Sequence, residues 1–305
     1  MKKSSASRKE IFTGFLFMTP FFILMAVFVI YVLISGVILS LSNARGYSFG
    51  SYIGFANFSR LFSDGFFKLT LLNTFLMVLA CLVTQVPAAF LLANWINSIP
   101  FKKIQGLIQA AFFVPCLMAT VIIGILFQML FTPDPTGLGP DFMNWFLGTL
   151  HLPHNFRWLA DRDLEFFMVV FVSFWQNVGF ESVFFLAFLQ SINQDLYEAA
   201  RMDGARPRHI LFHIKIPLMR PALTYVIVTS MVSSFLINEL TFVIFPRGPR
   251  KGGLTVMNYI FYNLMYNHNM DLAIGAAAGI VIFFIILGVS FLQFPIFGLG
   301  KSHEE

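Results

Sequence analysis

The chain has 305 residues, of which 57% are hydrophobic and only 11% charged, with a mean hydropathy of +0.76. A soluble domain carries about 25% charged residues, so a wholly water-facing fold is excluded, and the long apolar runs require lipid as a solvent. The formal charge of +5 is spread over short connections, which argues against a nucleic-acid partner.

The first expected element is a membrane span. Lys2, Lys3, Arg8 and Lys9 precede a stretch without charge from Ile11 to Ala44. That is far longer than the apolar region of a signal peptide. It reads as a retained transmembrane helix over 14–41, behind a cytoplasmic N-terminal segment 1–13. A span needs about 20 mainly apolar residues. Further spans are expected over 70–94, 107–130, 166–190, 221–245 and 271–296, followed by a cytoplasmic tail 297–305. Backbone groups in lipid must be satisfied within each segment, so each span should be a helix. Cys81 and Cys116 lie inside apolar runs, in no pair or metal-like cluster, and read as buried small hydrophobes.

Orientation follows from lysines and arginines in the connections. With the N-terminus inside, the inner segments carry twelve of them, including Lys102, Lys103, Arg201, Arg206, Arg208, Lys215 and Arg220, against eight outside. Both termini are therefore expected in the cytoplasm. The longest polar stretches are an outer loop over 131–165 and an inner segment over 191–220.

The inner segment carries the decisive pattern. It runs Asn193-Gln194-Asp195-Leu196-Tyr197-Glu198-Ala199-Ala200-Arg201-Met202-Asp203-Gly204-Ala205-Arg206-Pro207 and continues to Ile214-Lys215-Ile216-Pro217. Asp195 with Glu198 three residues on is a helix-start signature. Gly204 can take the left-handed conformation that ends a helix, and Pro207 suits the first turn of the next. The expected product is a short helix, a sharp turn and a second short helix. On physical grounds alone this could be an ordinary amphipathic connector between spans four and five.

The spacing adds a resemblance. Glu198, Ala199, Ala200, Gly204, Ile214 and Pro217 fall at the positions of the EAA signature of permease subunits of ABC importers, with Ile216 where the pattern has leucine. The stretch Tyr52-Ile53-Gly54-Phe55-Ala56-Asn57-Phe58 resembles an element after span one. Phe112-Phe113-Val114-Pro115 resembles the entry to span three. Trp158-Leu159-Ala160-Asp161 and Leu189-Gln190-Ser191-Ile192 are similar to strings in sugar permeases. The turn after span five departs: Pro246-Arg247-Gly248-Pro249-Arg250-Lys251-Gly252-Gly253 stands where the family has Gly-Gly-Gly-Pro.

The chain as a whole is similar to the carbohydrate-uptake branch, the relatives of maltose and glycerol-phosphate permeases. The resemblance implies an all-α, six-helix type I importer fold in the bacterial inner membrane, forming half of a translocation pathway for a sugar or oligosaccharide. It implies a second homologous permease, an extracytoplasmic solute-binding protein, and a pair of separate ATPase subunits that hold ATP and magnesium. Glu198, Ala199, Ala200, Asp203, Gly204, Ile214 and Pro217 would then contact the ATPase, and no cofactor or catalytic group is expected in this chain.

Two acids fall within expected spans: Glu181 in the fourth and Glu239 in the fifth. A charge at the bilayer centre costs at least ~2.5 kcal/mol, so each should face a cavity, a partner or a polar neighbour. With Gln176, Asn177, Phe180, Ser230, Ser233, Ser234 and Asn238 they could line a substrate path, with Trp175, Phe180 and Phe235 available to stack on sugar rings. The alternative is that they hydrogen-bond one another between helices.

Three short matches are set aside. Gly298-Leu299-Gly300-Lys301-Ser302 has Pro295 where a phosphate-binding loop needs its first glycine. His209 and His213 lack the intervening glutamate of a zinc helix. Asn57-Phe58-Ser59 matches a glycosylation acceptor by chance. The competing function is an ion-coupled secondary transporter, whose folds often show internal repeats; none is visible in the sequence.

Overall fold

The computed structural model describes residues 8–46, 50–131, 142–151, 156, 158, 161–245, 252–266 and 271–296. Among these the elements are helices, with one isolated antiparallel bridge between Ser42 and Tyr52. Expectations that fall on the tail 297–305, on Leu159 and Ala160, and on 246–251 of the turn after span five lie outside the described residues.

The chain divides into two compact units: Met1–Asp64 with Ile260–Phe283, and Gly65–Tyr259 with Phe284–Glu305. In the first, α1 (Arg8–Met25) passes through a π-helical turn (Ala26–Ile30) into α2 (Tyr31–Ser40). None of the most apolar stretch of this run is buried. Its C-terminal end is tied instead by Asn57, in α3 (Ala56–Ser63). The Asn57 amide donates to the carbonyls of Ser40 at 2.8 Å and Ser42 at 2.6 Å. With both protons used and 3% exposure, Asn57 is no glycan acceptor. Arg60 pairs with the buried Asp271 at 3.2 Å.

The second unit contains α4 (Gly65–Asn97), α5 (Lys102–Leu117), α6 (Thr120–Phe131), α7 (Phe142–Thr149), α8 (Arg162–Ser191) and α9 (Asp195–Met202). It continues through α10 (Pro207–His209), a π-helical stretch (Ile210–Lys215), α11 (Ile216–Leu218), α12 (Arg220–Phe235) and α13 (Glu239–Ile244). The remaining helices, α14 (Val256–Phe261) and α15 (Leu272–Ile296), are each divided between the two units.

Among the described residues four helices are long and apolar enough to cross a membrane, and six spans result if each bent pair counts as one. The six expected spans are thus present, two of them bent. The third span bends by 93° between α5 and α6. Pro115 removes an amide donor from the last turn of α5, and Met118 takes an extended conformation before Thr120 restarts the helix. The fifth, expected over 221–245, stops at Phe235 and resumes at Glu239. The run α10–α11 meets α12 at 71°.

The core of this unit is the packing of α4 against α8, with α12 on α4 and α5 on α8. Ala89 and Ala93, fully buried on α4, let the backbones approach closely, and Phe90 meets Phe185 edge-on at 5.7 Å. Cys81 is buried in the same core and Cys116 is half-buried, both as free thiols. At the crossing of α5 and α8 there is no room at all: a Cβ on Gly179 would lie 1.8 Å from the Phe112 carbonyl oxygen.

That crossing gives a first prediction. Gly179→Ala should destabilise the protein by about 1–3 kcal/mol or more through forced overpacking. Gly106→Ala, where a Cβ meets nothing within 4 Å, should be neutral or slightly stabilising. Melting curves of the purified membrane protein would compare the two; equal curves would refute the close crossing.

Candidate functional site

The inner segment folds into the helix, turn and helix that its residues favour. The start of α9 is fixed by Asn193, whose side-chain oxygen accepts from the Asp195 amide at 3.0 Å while its own amide donates to the Asp195 carboxylate at 3.0 Å. This corrects the expected cap. Asp195 and Glu198 lie within the first turn, and the residue two before Asp195 supplies the acceptor. Acids there still complement the helix dipole.

The far end is a two-bond turn. Ala205 donates to the Ala200 carbonyl at 2.9 Å and Gly204 to that of Arg201 at 3.0 Å. Gly204 has φ of +80°, the left-handed conformation this closure requires. Arg206 is extended and Pro207 opens the next helix, as expected.

The closure leaves a distinct outer face on α9. Glu198, Ala199, Asp203 and Gly204 are exposed there, together with the apolar Leu196 and, 88% exposed, Met202. Tyr197 and Ala200 turn inward, and Ile214 and Pro217 are half-buried along the second helix. Lys215 locks the second helix to the body: its ammonium donates to Asn94 on α4 and lies 5.5 Å from the centre of the Tyr197 ring. Burial, and then the neighbouring Arg201, hold its pKa below the usual lysine range.

The intramembrane polar residues separate into two groups. Glu181 is 5% exposed, and its Oε1 accepts from the Ser230 hydroxyl at 2.6 Å. Gln85 lies 3.2 Å from the same oxygen and 3.1 Å from Ser173. Glu181, Ser230 and Gln85 thus join α8, α12 and α4 in one buried seam, and Ser234 bonds back to the Ser230 carbonyl at 2.7 Å. These three predicted path residues, Glu181, Ser230 and Ser234, face protein.

Gln176, Asn177, Phe180, Ser233, Asn238 and Glu239 remain half-buried or exposed. Glu239 is not held in mid-span as expected: it is exposed at the first turn of α13, after the break. Phe235 is also corrected, being fully buried against Phe75, and Trp175 packs edge-on to Phe127 in the core. Phe180, 38% exposed and stacked on Phe113, is still open.

Two buried polar features were not singled out in the sequence. Asn258, 2% exposed, accepts from the Thr255 amide at 2.9 Å and donates to Asn238 at 3.1 Å and Thr241 at 2.7 Å. Glu165, fully buried at the start of α8, accepts from the Gly253 amide at 3.2 Å. A lone Asn between apolar neighbours was the available signal for the first. The second depends on a partner 88 residues away.

The family model for the binding-protein-dependent transport system inner membrane component matches residues 85–294. The arabinooligosaccharides transport system permease protein of Bacillus subtilis is 31% identical over 290 residues, covering 94% of this chain and 89% of that one. The lactose transport system permease protein of Rhizobium radiobacter is 29% identical, covering 96% of each. In fold, the chain is similar to one from a bacterial alginate ABC transporter crystallised with its alginate-pentasaccharide-bound periplasmic protein, with a TM-score of 0.79, 22% identity, and 95% and 96% coverage.

The buried seam yields a matched test. Ser230→Ala removes a hydroxyl from a buried carboxyl group and should cost roughly 1–3 kcal/mol. Ser233→Ala removes an exposed hydroxyl that bonds only within its own helix, and should stay within about 0.5 kcal/mol. If both variants melt together, Glu181 does not hold the three helices.

Proposed function

We infer the role of this chain from one premise: it belongs to the family of binding-protein-dependent transport system inner membrane components. It is a multi-pass inner membrane permease subunit of an ABC importer rather than an ion-coupled transporter. We propose that its cargo is a sugar or oligosaccharide. The named relatives carry such solutes, and the open groups suit them: Gln176, Asn177, Ser233 and Asn238 offer hydrogen bonds, and Phe180 offers an apolar face. Weak and multiple contacts let a solute pass without being trapped.

The observation that carries the mechanism is the uncovered face of α9, with its E-A-A sequence and its Gly204 turn. An exposed helix bearing Leu196 and Met202 between acids is built to lie in a groove of another protein. That protein would be the separate ATPase, which holds ATP and magnesium. Closure of the ATPase pair would displace α9, and Lys215, Asn94 and the Gly204 turn would pass the displacement to α4, α8 and α12. A second homologous permease would complete the pathway, and an extracytoplasmic binding protein would deliver the solute. Both termini would lie in the cytoplasm.

Gly204→Val places a β-branched residue at φ of +80°, about 1–3 kcal/mol of strain at the turn. Assembly should survive while uptake and solute-stimulated ATP hydrolysis fall together; normal uptake would sink the coupling role. For the path, Gln176→Ala, Asn177→Ala and Ser233→Ala should change uptake with assembly and basal ATPase activity retained. Variants that transport normally would leave these residues structural. A topology reporter fused after Lys102 should read cytoplasm and one near Pro140 the outer side, and the opposite pattern would reverse the orientation.

A further inference from the structure

Behind the outer face of α9 lies a cavity of about 1020 Å³, bounded by the end of α4, the start of α5, the end of α8 and the inner side of α9. Its walls carry Lys102, Arg201, Arg208 and Lys215 against a single acid, Glu198, which is exposed and borders both the cavity and the outer face. Among the described residues none of these four cations is in an ion pair: the salt bridge found joins Arg60 and Asp271. Lys215 has only the neutral Asn94 and the ring of Tyr197 as partners, and Arg201 is near enough to repel it. The Tyr197 hydroxyl, on the same wall, is buried and makes no hydrogen bond. A polar cavity that gathers the half-buried Lys215, the exposed Lys102, Arg201 and Arg208 and an unused donor favours a counter-charge, because a half-buried cation is stabilised chiefly by direct pairing.

We propose that this cavity is a binding site for a phosphate-bearing anion, held by Lys215 and Arg201 with the Tyr197 hydroxyl as a further donor. Arg201 offers a planar fork and Lys215 a point charge, a pairing suited to phosphate oxygens. The helix ends that line the cavity belong to three successive membrane helices and the connection between α4 and α5, so the site lies at the level of the headgroups of one leaflet. The phosphate can come from an anionic lipid headgroup or from a soluble phosphate. Occupancy would brace α9 against the ends of α4 and α8 from the side opposite its exposed face.

The test uses the assembled transporter, purified in detergent and washed free of lipid. One arm titrates inorganic phosphate at constant ionic strength and follows the melting temperature. The other incorporates the complex into phosphatidylcholine vesicles with or without phosphatidylglycerol and counts retained phosphatidylglycerol by native mass spectrometry. Phosphate should bind saturably, roughly tenfold more weakly in Lys215→Gln, with recovery in Lys215→Arg. Phosphatidylglycerol retention that falls in the same variant assigns the lipid headgroup; unchanged retention beside weakened phosphate binding assigns the soluble ion. Should Lys215→Gln fail to assemble, Tyr197→Phe removes the hydroxyl at constant charge and should weaken binding a few-fold. Binding that is equal in wild type and variants, or absent for both probes, overturns the proposal and leaves the cavity to an acidic side chain of the ATPase. Binding is read directly, so the result does not depend on the transported solute being a carbohydrate.

Discussion

A backbone in hydrocarbon must satisfy its own amides and carbonyls, and this single constraint organises the second unit. An unbroken helix meets it at no cost in side chains. Each break frees polar groups that something else must take up. At the break after Phe235, Thr255 donates to the freed Ile237 carbonyl at 2.9 Å, and Thr241 donates at 2.7 Å to the Asn238 carbonyl, which also accepts from the Phe242 amide. Asn258 then ties Thr255, Thr241 and Asn238 to one side chain. The knot is therefore what makes the interruption between α12 and α13 tolerable. At the other break, Thr120 opens α6 and its hydroxyl accepts from Gln176 at 3.3 Å, which ties α6 to α8.

The same constraint explains what was legible in the sequence. Apolar runs long enough to cross a membrane announce themselves by length and composition, and the inner segment by local chemistry. Gly204 and Pro207 act within a few residues of themselves, so their conformations could be read directly. Asn193 displaced Asp195 as the cap because both are good acceptors two residues apart, and local propensity does not choose between them.

The breaks and the polar seam were less legible for a different reason. In helices that are apolar on nearly every side, the 3.6-residue period that separates a core face from an outer face is almost absent. Ser230 and Ser233 look alike in the sequence, yet one bonds to Glu181 and the other is exposed. What separates them is a carboxylate 49 residues away. The same holds for Phe180 and Phe235, one open and one enclosed. Pro115 stands in the sequence only as part of a family-like string, and neither it nor the extended Met118 announces a bend as large as 93° between α5 and α6.

The division of polar groups bears on how motion could pass through the subunit. α9 is attached to α8 through a short connection and to α12 through the turn at Gly204 and the second helix. If α8 and α12 could slide freely, pushing α9 would shear them apart and dissipate the displacement. The Glu181–Ser230 bond resists that, because separating the pair takes the hydroxyl donor from a buried carboxyl group. Gln85 extends the lock to α4, and Lys215 on Asn94 repeats it where the second helix meets the end of α4. The three helices are thus pinned together at the seam, and α4 is held separately to the second helix beside α9. On the proposed coupling, a push on α9 would move them as a body, and the two breaks, where α6 and α13 pack together apart from the seam, would be the places that yield. Held together by the seam and interrupted where the half-buried Gln176 and Asn238 lie, the unit would, on the proposed coupling, turn displacement at α9 into rearrangement at the breaks.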